Sequence, residues 1–125
     1  MTIGITQIHH IQILVPREVE QEAKHFYGTL LGLPEIPKPE PYRATGGAWY
    51  ELAGKQLHLS LDDGPMDNHT RRRHVCFMVS DLALAEKLMQ EAGVPIIPDT
   101  KPFDQWARFY AEDPGGNRIE VAQFR

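Results

Sequence analysis

The feature that most constrains this chain is an internal repeat. Leu31-Gly32-Leu33-Pro34-Glu35-Ile36-Pro37 reads like Ala92-Gly93-Val94-Pro95-Ile96-Ile97-Pro98, 61 residues further on. Upstream, His10-Ile11-Gln12-Ile13-Leu14-Val15 resembles His74-Val75-Cys76-Phe77-Met78-Val79, 64 residues apart. Two matches in one order at nearly one offset indicate two copies of a unit of about 60 residues. At 125 residues the chain then has room for one domain of two modules. Their bounds fall near residues 5–62 and 73–125, with a polar linker over 63–72.

Each copy reads the same way. Residues 8–15 are Ile- and Val-rich and predict a strand that ends at Pro16. Over 18–31, Val19, Ala23, Phe26, Tyr27, Leu30 and Leu31 recur at helical spacing, and Gly32 with Pro34 closes the helix. The proline-rich stretch 35–45 reads as a loop, and 46–53 and 56–62 as strands. In the second copy a strand over 73–79 precedes a helix over 82–92, capped by Ser80 or Asp81. A loop over 96–104 leads to strands over 106–112 and 117–124, joined through Asp113-Pro114-Gly115-Gly116-Asn117. The fold class is therefore α+β.

Strand side chains alternate between faces. His10, Gln12 and Leu14 lie opposite Ile11, Ile13 and Val15. Gln56, His58 and Ser60 lie opposite Leu57, Leu59 and Leu61. His74, Cys76 and Met78 lie opposite Val75, Phe77 and Val79, and Arg118, Glu120 and Ala122 opposite Ile119 and Val121. Four strands thus carry one aliphatic face and one face holding a potential ligand: His10, His58, His74 and Glu120. A lone strand histidine is ordinarily half-exposed. Four candidates at equivalent positions are expected to converge if the two modules face each other. Imidazole and carboxylate donors suit Zn²⁺, Fe²⁺, Mn²⁺, Co²⁺ or Ni²⁺ without selecting among them.

His58 is read as a fourth ligand or as the general base. Arg43, Arg73 and Arg108 are candidates to hold an anionic substrate. Trp49, Tyr50 and Tyr110 are candidate pocket walls or core. His9, His25 and His69 read as structural or exposed, and Cys76 has no neighbour in sequence that would activate it. A net charge of −4, with Arg71-Arg72-Arg73 the only basic cluster, argues against nucleic acid. One cysteine excludes an internal disulfide, and the absence of a leader or long apolar run predicts a cytoplasmic, non-membrane protein.

The segments IHHIQILV, FYGTLLGLPEIP, GGAWYELAGKQLHLSL, RHVCFMVSDLALAEKLMQEAGV and RFYAEDPGGNRIEVAQF resemble the vicinal oxygen chelate superfamily of glyoxalases, bleomycin-resistance proteins and extradiol dioxygenases. The resemblance covers nearly the whole chain and is most specific at Asp113–Glu120. It implies paired βαβββ modules forming a cup-shaped mixed sheet with helices outside. It implies that His10, His74 and Glu120 match the family's metal ligands, with His58 at the remaining position. It also implies a homodimer whose subunits often share one metal site. The expected activity is Lewis-acid chemistry on a small oxygen-bearing substrate, as a lyase, isomerase, thiol transferase or dioxygenase. The alternative is a non-catalytic, antibiotic-binding dimer. The chain departs from glyoxalase I by carrying His58 where that enzyme has glutamate. It departs from the fosfomycin enzymes by carrying Gln12 where they have threonine.

Overall fold

A computed structural model describes residues 1–125. Strand β1 (His10–Pro16) leads through a short 3-10 turn into helix α1 (Glu20–Lys24). Strands β2 (Glu35–Ile36), β3 (Ala48–Leu52) and β4 (Lys55–Asp62) complete the first module. The second repeats the order with β5 (His74–Met78), α2 (Leu82–Glu91), β6 (Ile96–Pro98), β7 (Trp106–Glu112) and β8 (Arg118–Phe124). Each module forms its own four-stranded mixed sheet, in the orders β1-β4-β3-β2 and β5-β8-β7-β6. The first and last strands of each module run parallel and the other pairs antiparallel.

Register makes the repeat exact at the residues that matter. His58 lies across from Gln12 on one side and Trp49 on the other. Glu120 lies across from Cys76 and Tyr110. His10 pairs with Gln56 as His74 pairs with Arg118. Position by position, His58 and Glu120 are equivalent, as are Gln56 and Arg118.

Two expectations change. The proline-rich segments are not wholly loops, because β2 and β6 arise within them. Each is a short edge strand, where a proline without an N–H costs no ladder bond. The first helix is not uniformly α-helical: after α1 the chain widens into a π-helical turn over His25–Leu30, whose inward residues Phe26 and Tyr27 are buried. The second helix behaves as expected, with the Asp81 carboxylate accepting from the Leu84 N–H at 3.0 Å.

The aliphatic strand faces and the helices share one buried cluster that includes Val15, Tyr27, Leu57, Leu59, Ile119 and Val121. A polar clasp joins the modules. The Tyr27 hydroxyl donates to Asp113 Oδ2 at 2.6 Å, and Asp113 Oδ1 accepts from the Gly115 and Asn117 N–H groups at 2.9 and 2.8 Å. The Leu14 carbonyl, on the unpaired edge of β1, accepts from the side-chain amides of Asn68 and Asn117 at 3.0 and 2.9 Å. An edge carbonyl that the sheet leaves unpaired is thereby satisfied. Thus the turn that carries the strongest family resemblance begins as a structural clasp and reaches the site only at its last residue, Glu120.

Candidate metal centre

The faces carrying His10, His58, His74 and Glu120 point away from the aliphatic core, as alternation requires. His10 and His74 are exposed at strand ends, whereas His58 and Glu120 are only 6% and 4% exposed on the inner strands β4 and β8. The structure brings these donors together as two pairs. His10 and His58 stack with ring centroids 4.2 Å apart. His74 Nε2 lies 3.0 Å from Glu120 Oε1. Within one chain no cluster of three or more His, Cys, Asp or Glu side chains could hold a metal ion.

Both pairs are oriented by neighbours. Trp49 stacks on His58 at 3.7 Å and 5°, so the imidazole is sandwiched between Trp49 and His10. His58 Nε2 pairs with Gln56 Oε1 at 2.9 Å. Burial, with His10 and His9 adding like charge, pushes the His58 pKa down and favours the neutral ring. In module two the His74 Nδ1–H donates to the Arg72 carbonyl at 2.7 Å, which turns Nε2 toward Glu120. Trp106 Nε1–H donates to Glu120 Oε2 at 3.1 Å. Donors of one ion bound at about 2.1 Å and at right angles sit roughly 3 Å apart, so the His74–Glu120 spacing fits adjacent ligands. The hard-to-intermediate donor set also fits a divalent ion.

The other candidates separate. Arg108 is nearly buried between the Phe103 and Tyr110 rings, its Nε 3.3 Å from Asp99 Oδ2 and its Nη1 3.5 Å from Glu120 Oε2. The Nε–H points off the line to Asp99 and makes no hydrogen bond. Two carboxylates neutralise this arginine, which fits it better for holding Glu120 than for receiving an anion. Arg43 is exposed and donates to the Lys38 carbonyl at 3.2 Å. Arg73 donates to Asn68 Oδ1 at 3.3 Å and lines a cavity of about 490 Å³ with His74 and Arg118. Trp49 lines a cavity of about 380 Å³ with His10, His58, Lys38 and Tyr42. Tyr50 belongs to the core, and burial raises its pKa to about 12. The Cys76 thiol is pushed up to about 11, by burial first and then by Glu120, so it is a poor nucleophile. Trp106 and Gln56 went unassigned in the sequence because their roles depend on which strand lies beside them.

A family model for the Glyoxalase/Bleomycin resistance protein/Dioxygenase superfamily matches residues 7–121. The chain is similar to the crystal structure of a glyoxalase family protein from Bacillus anthracis, with 32% identity, all of both chains covered and a TM-score of 0.86. A glyoxalase/dioxygenase from Nostoc punctiforme matches at 25% identity and a TM-score of 0.81, over 98% of this chain and 93% of that one. The fosfomycin resistance protein FosX from Listeria monocytogenes shares the fold at 14% identity and a TM-score of 0.74, over 97% and 91%. No curated protein matches the sequence. No helix is long and apolar enough to cross a membrane.

Proposed function

Since the chain belongs to the Glyoxalase/Bleomycin resistance protein/Dioxygenase superfamily, we propose that it is a divalent-metal-dependent enzyme whose complete site is shared between two copies of the chain. The observation that carries this reading is the division of donors: two oriented pairs at equivalent places, with His9 Nδ1 3.0 Å from His10 Nδ1 beside the first, and no group of three or more His, Cys, Asp or Glu side chains within one chain able to hold an ion. The ligand-bearing faces are open, and Leu14 and Met78 on them are 37% and 43% exposed. A module from a second copy, laid against each face, would bring His10 and His58 of one protomer toward the equivalent of His74 and Glu120 in the other. A closed dimer related by a two-fold axis then contains two such sites.

His10, His74 and Glu120 would hold the ion, with His58 as fourth ligand or base. The ion, when bound, supplies Lewis-acid stabilisation of negative charge developing on a substrate oxygen. The chain's own residues do the rest. Trp49 and His10 hold the His58 ring in one plane, and its burial keeps it neutral and able to accept a proton. Trp106 and Arg108 fix the Glu120 carboxylate. Tyr42, Trp49 and His58 form an aromatic wall of the cavity of about 380 Å³, in which a small substrate can sit. The same wall favours a second reading, a binding protein without turnover.

Metal analysis of protein purified without chelator separates the two readings. The enzyme reading expects about one metal per chain, lost in both His10→Ala and Glu120→Ala. Mixing the two variants under subunit exchange tests sharing directly. Each mixed dimer regains one intact site, so about a quarter of the wild-type metal returns. No recovery in mixed dimers, or full metal in either variant, refutes the shared site. Metal-free wild-type protein that binds an aromatic ligand supports the second reading.

A further inference from the structure

The inner face of module two carries two guanidiniums with different surroundings. Arg108 is matched by Asp99 and Glu120. Arg118 forms no ion pair, although Glu112 lies across from it in register on β7. It is half-buried, its Cζ sits 5.1 Å from the Tyr110 ring centroid, and no protein acceptor takes any of its N–H groups. It is the register partner of His74 and stands two residues before Glu120 on the same strand face. Arg73 precedes His74, and its one protein acceptor is the neutral Asn68 Oδ1. Neither guanidinium has a carboxylate within 4.0 Å. Both line the cavity of about 490 Å³ that His74 also lines. The two acids there are otherwise engaged: Asp67 pairs with Arg71 at 2.6 Å, and Asp62 Oδ1 accepts from the Gly64 N–H at 2.8 Å. Module one places Gln56 at the position equivalent to Arg118, where its amide oxygen is taken by His58. The repeat therefore keeps a neutral, engaged side chain in one half and a free cation in the other.

From this juxtaposition we infer that Arg118, assisted by Arg73, forms an oxyanion-binding subsite beside the His74–Glu120 pair, and that the substrate is a small molecule carrying a carboxylate or phosphate-type group. The planar guanidinium fork accepts two oxygens of such a group at once. Stacking on Tyr110 holds Arg118 in place, so little freedom is lost on binding. Partial burial weakens screening by salt. As a statement about substrate, the inference rests on the metal-dependent reading above; the anion contact itself does not require the ion.

The test uses the full-length protein stripped with chelator and titrated calorimetrically with inorganic phosphate and, separately, with succinate at low ionic strength. One saturable anion per chain is expected. Binding should weaken at least about tenfold in Arg118→Gln and in Arg73→Gln, as for loss of a charge-assisted hydrogen bond. Arg43→Gln should bind as the wild type does, and Arg118→Lys should retain part of the affinity, which guards against misfolding as the cause. The relative affinity for phosphate and succinate shows which anion class the site prefers. Absence of saturable binding to either anion, or unchanged affinity in Arg118→Gln, overturns the inference. Each variant is then reloaded with metal. Wild-type metal content with lost anion binding supports a separate subsite, whereas anion binding by a protein that takes up no metal leaves the subsite standing and removes the metal reading.

Discussion

Replacing Tyr27 by phenylalanine isolates the clasp between modules. Tyr27 is fully buried and Asp113 is 4% exposed, so the ring and its packing stay while one hydroxyl is lost. That hydroxyl donates to Asp113 Oδ2 at 2.6 Å, and the oxygen then keeps only the Asn117 side-chain amide, at 3.0 Å. A buried hydrogen bond to a charged group contributes about 1.5–3 kcal/mol. The expected loss is therefore about 2 kcal/mol, or roughly 6–10 °C in melting temperature for a chain of this size. The pH dependence has a definite sign. Burial raises the Asp113 pKa above its ordinary value of 3.8, against the opposing bonds from Tyr27, Asn117 and Gly115. A carboxyl raised in the folded state takes its proton more readily there than when unfolded. Its ionisation costs stability as pH rises from the ordinary value through the folded one. Without the hydroxyl the folded value rises further, so the variant's deficit is larger at pH 7. Toward pH 4, as the acid takes up its proton, the bond lost approaches a neutral one worth about 1 kcal/mol. Urea unfolding followed by circular dichroism, at one fixed protein concentration and both pH values, measures the two deficits. A loss below about 0.5 kcal/mol at pH 7, or a deficit that grows on acidification, refutes the role given to this contact.

Gly115→Ala should destabilise by about 1–3 kcal/mol, because an added Cβ meets Val15 Cγ1 at 2.5 Å and its Cα at 3.2 Å across the module junction; a thermal melt matching wild type would contradict that packing. Trp106→Phe removes the donor to Glu120 Oε2 while keeping an aromatic ring. Metal affinity should fall roughly 10–100-fold if Glu120 is a ligand, and equilibrium competition with a chromophoric chelator reads it. With its thiol pushed up to about 11, Cys76 should react with iodoacetamide at pH 8 roughly a hundredfold more slowly than a free cysteine. Alkylation at the free-cysteine rate would show that Glu120 and burial do not suppress the thiolate.

Alternation along single strands decides which face a side chain takes. It depends only on a two-residue period, so the sequence by itself determined that His10, His58, His74 and Glu120 all leave the aliphatic face and occupy equivalent positions in two copies. A cap for α2 at Ser80 or Asp81 and the α+β class were legible for the same local reason, and the fold chose Asp81. Which donors meet depends on strand order and register across dozens of residues, and only the tertiary structure decided that. It placed His58 between His10 and Trp49, and Glu120 between His74 and Trp106, as two pairs within the chain. It also gave Arg108 to Asp99 and Glu120 while leaving Arg118 free, a distinction invisible in sequence because each arginine's charge balance is set by segments far from it along the chain. The edge strands β2 and β6, which the βαβββ resemblance implies, escaped the residue-by-residue reading because proline composition hides a strand whose unpaired side needs no N–H. The role of Asp113-Pro114-Gly115-Gly116-Asn117 as a clasp emerged only when β1 and the π-turn were folded against it, since its partners Tyr27 and Leu14 lie in the other module.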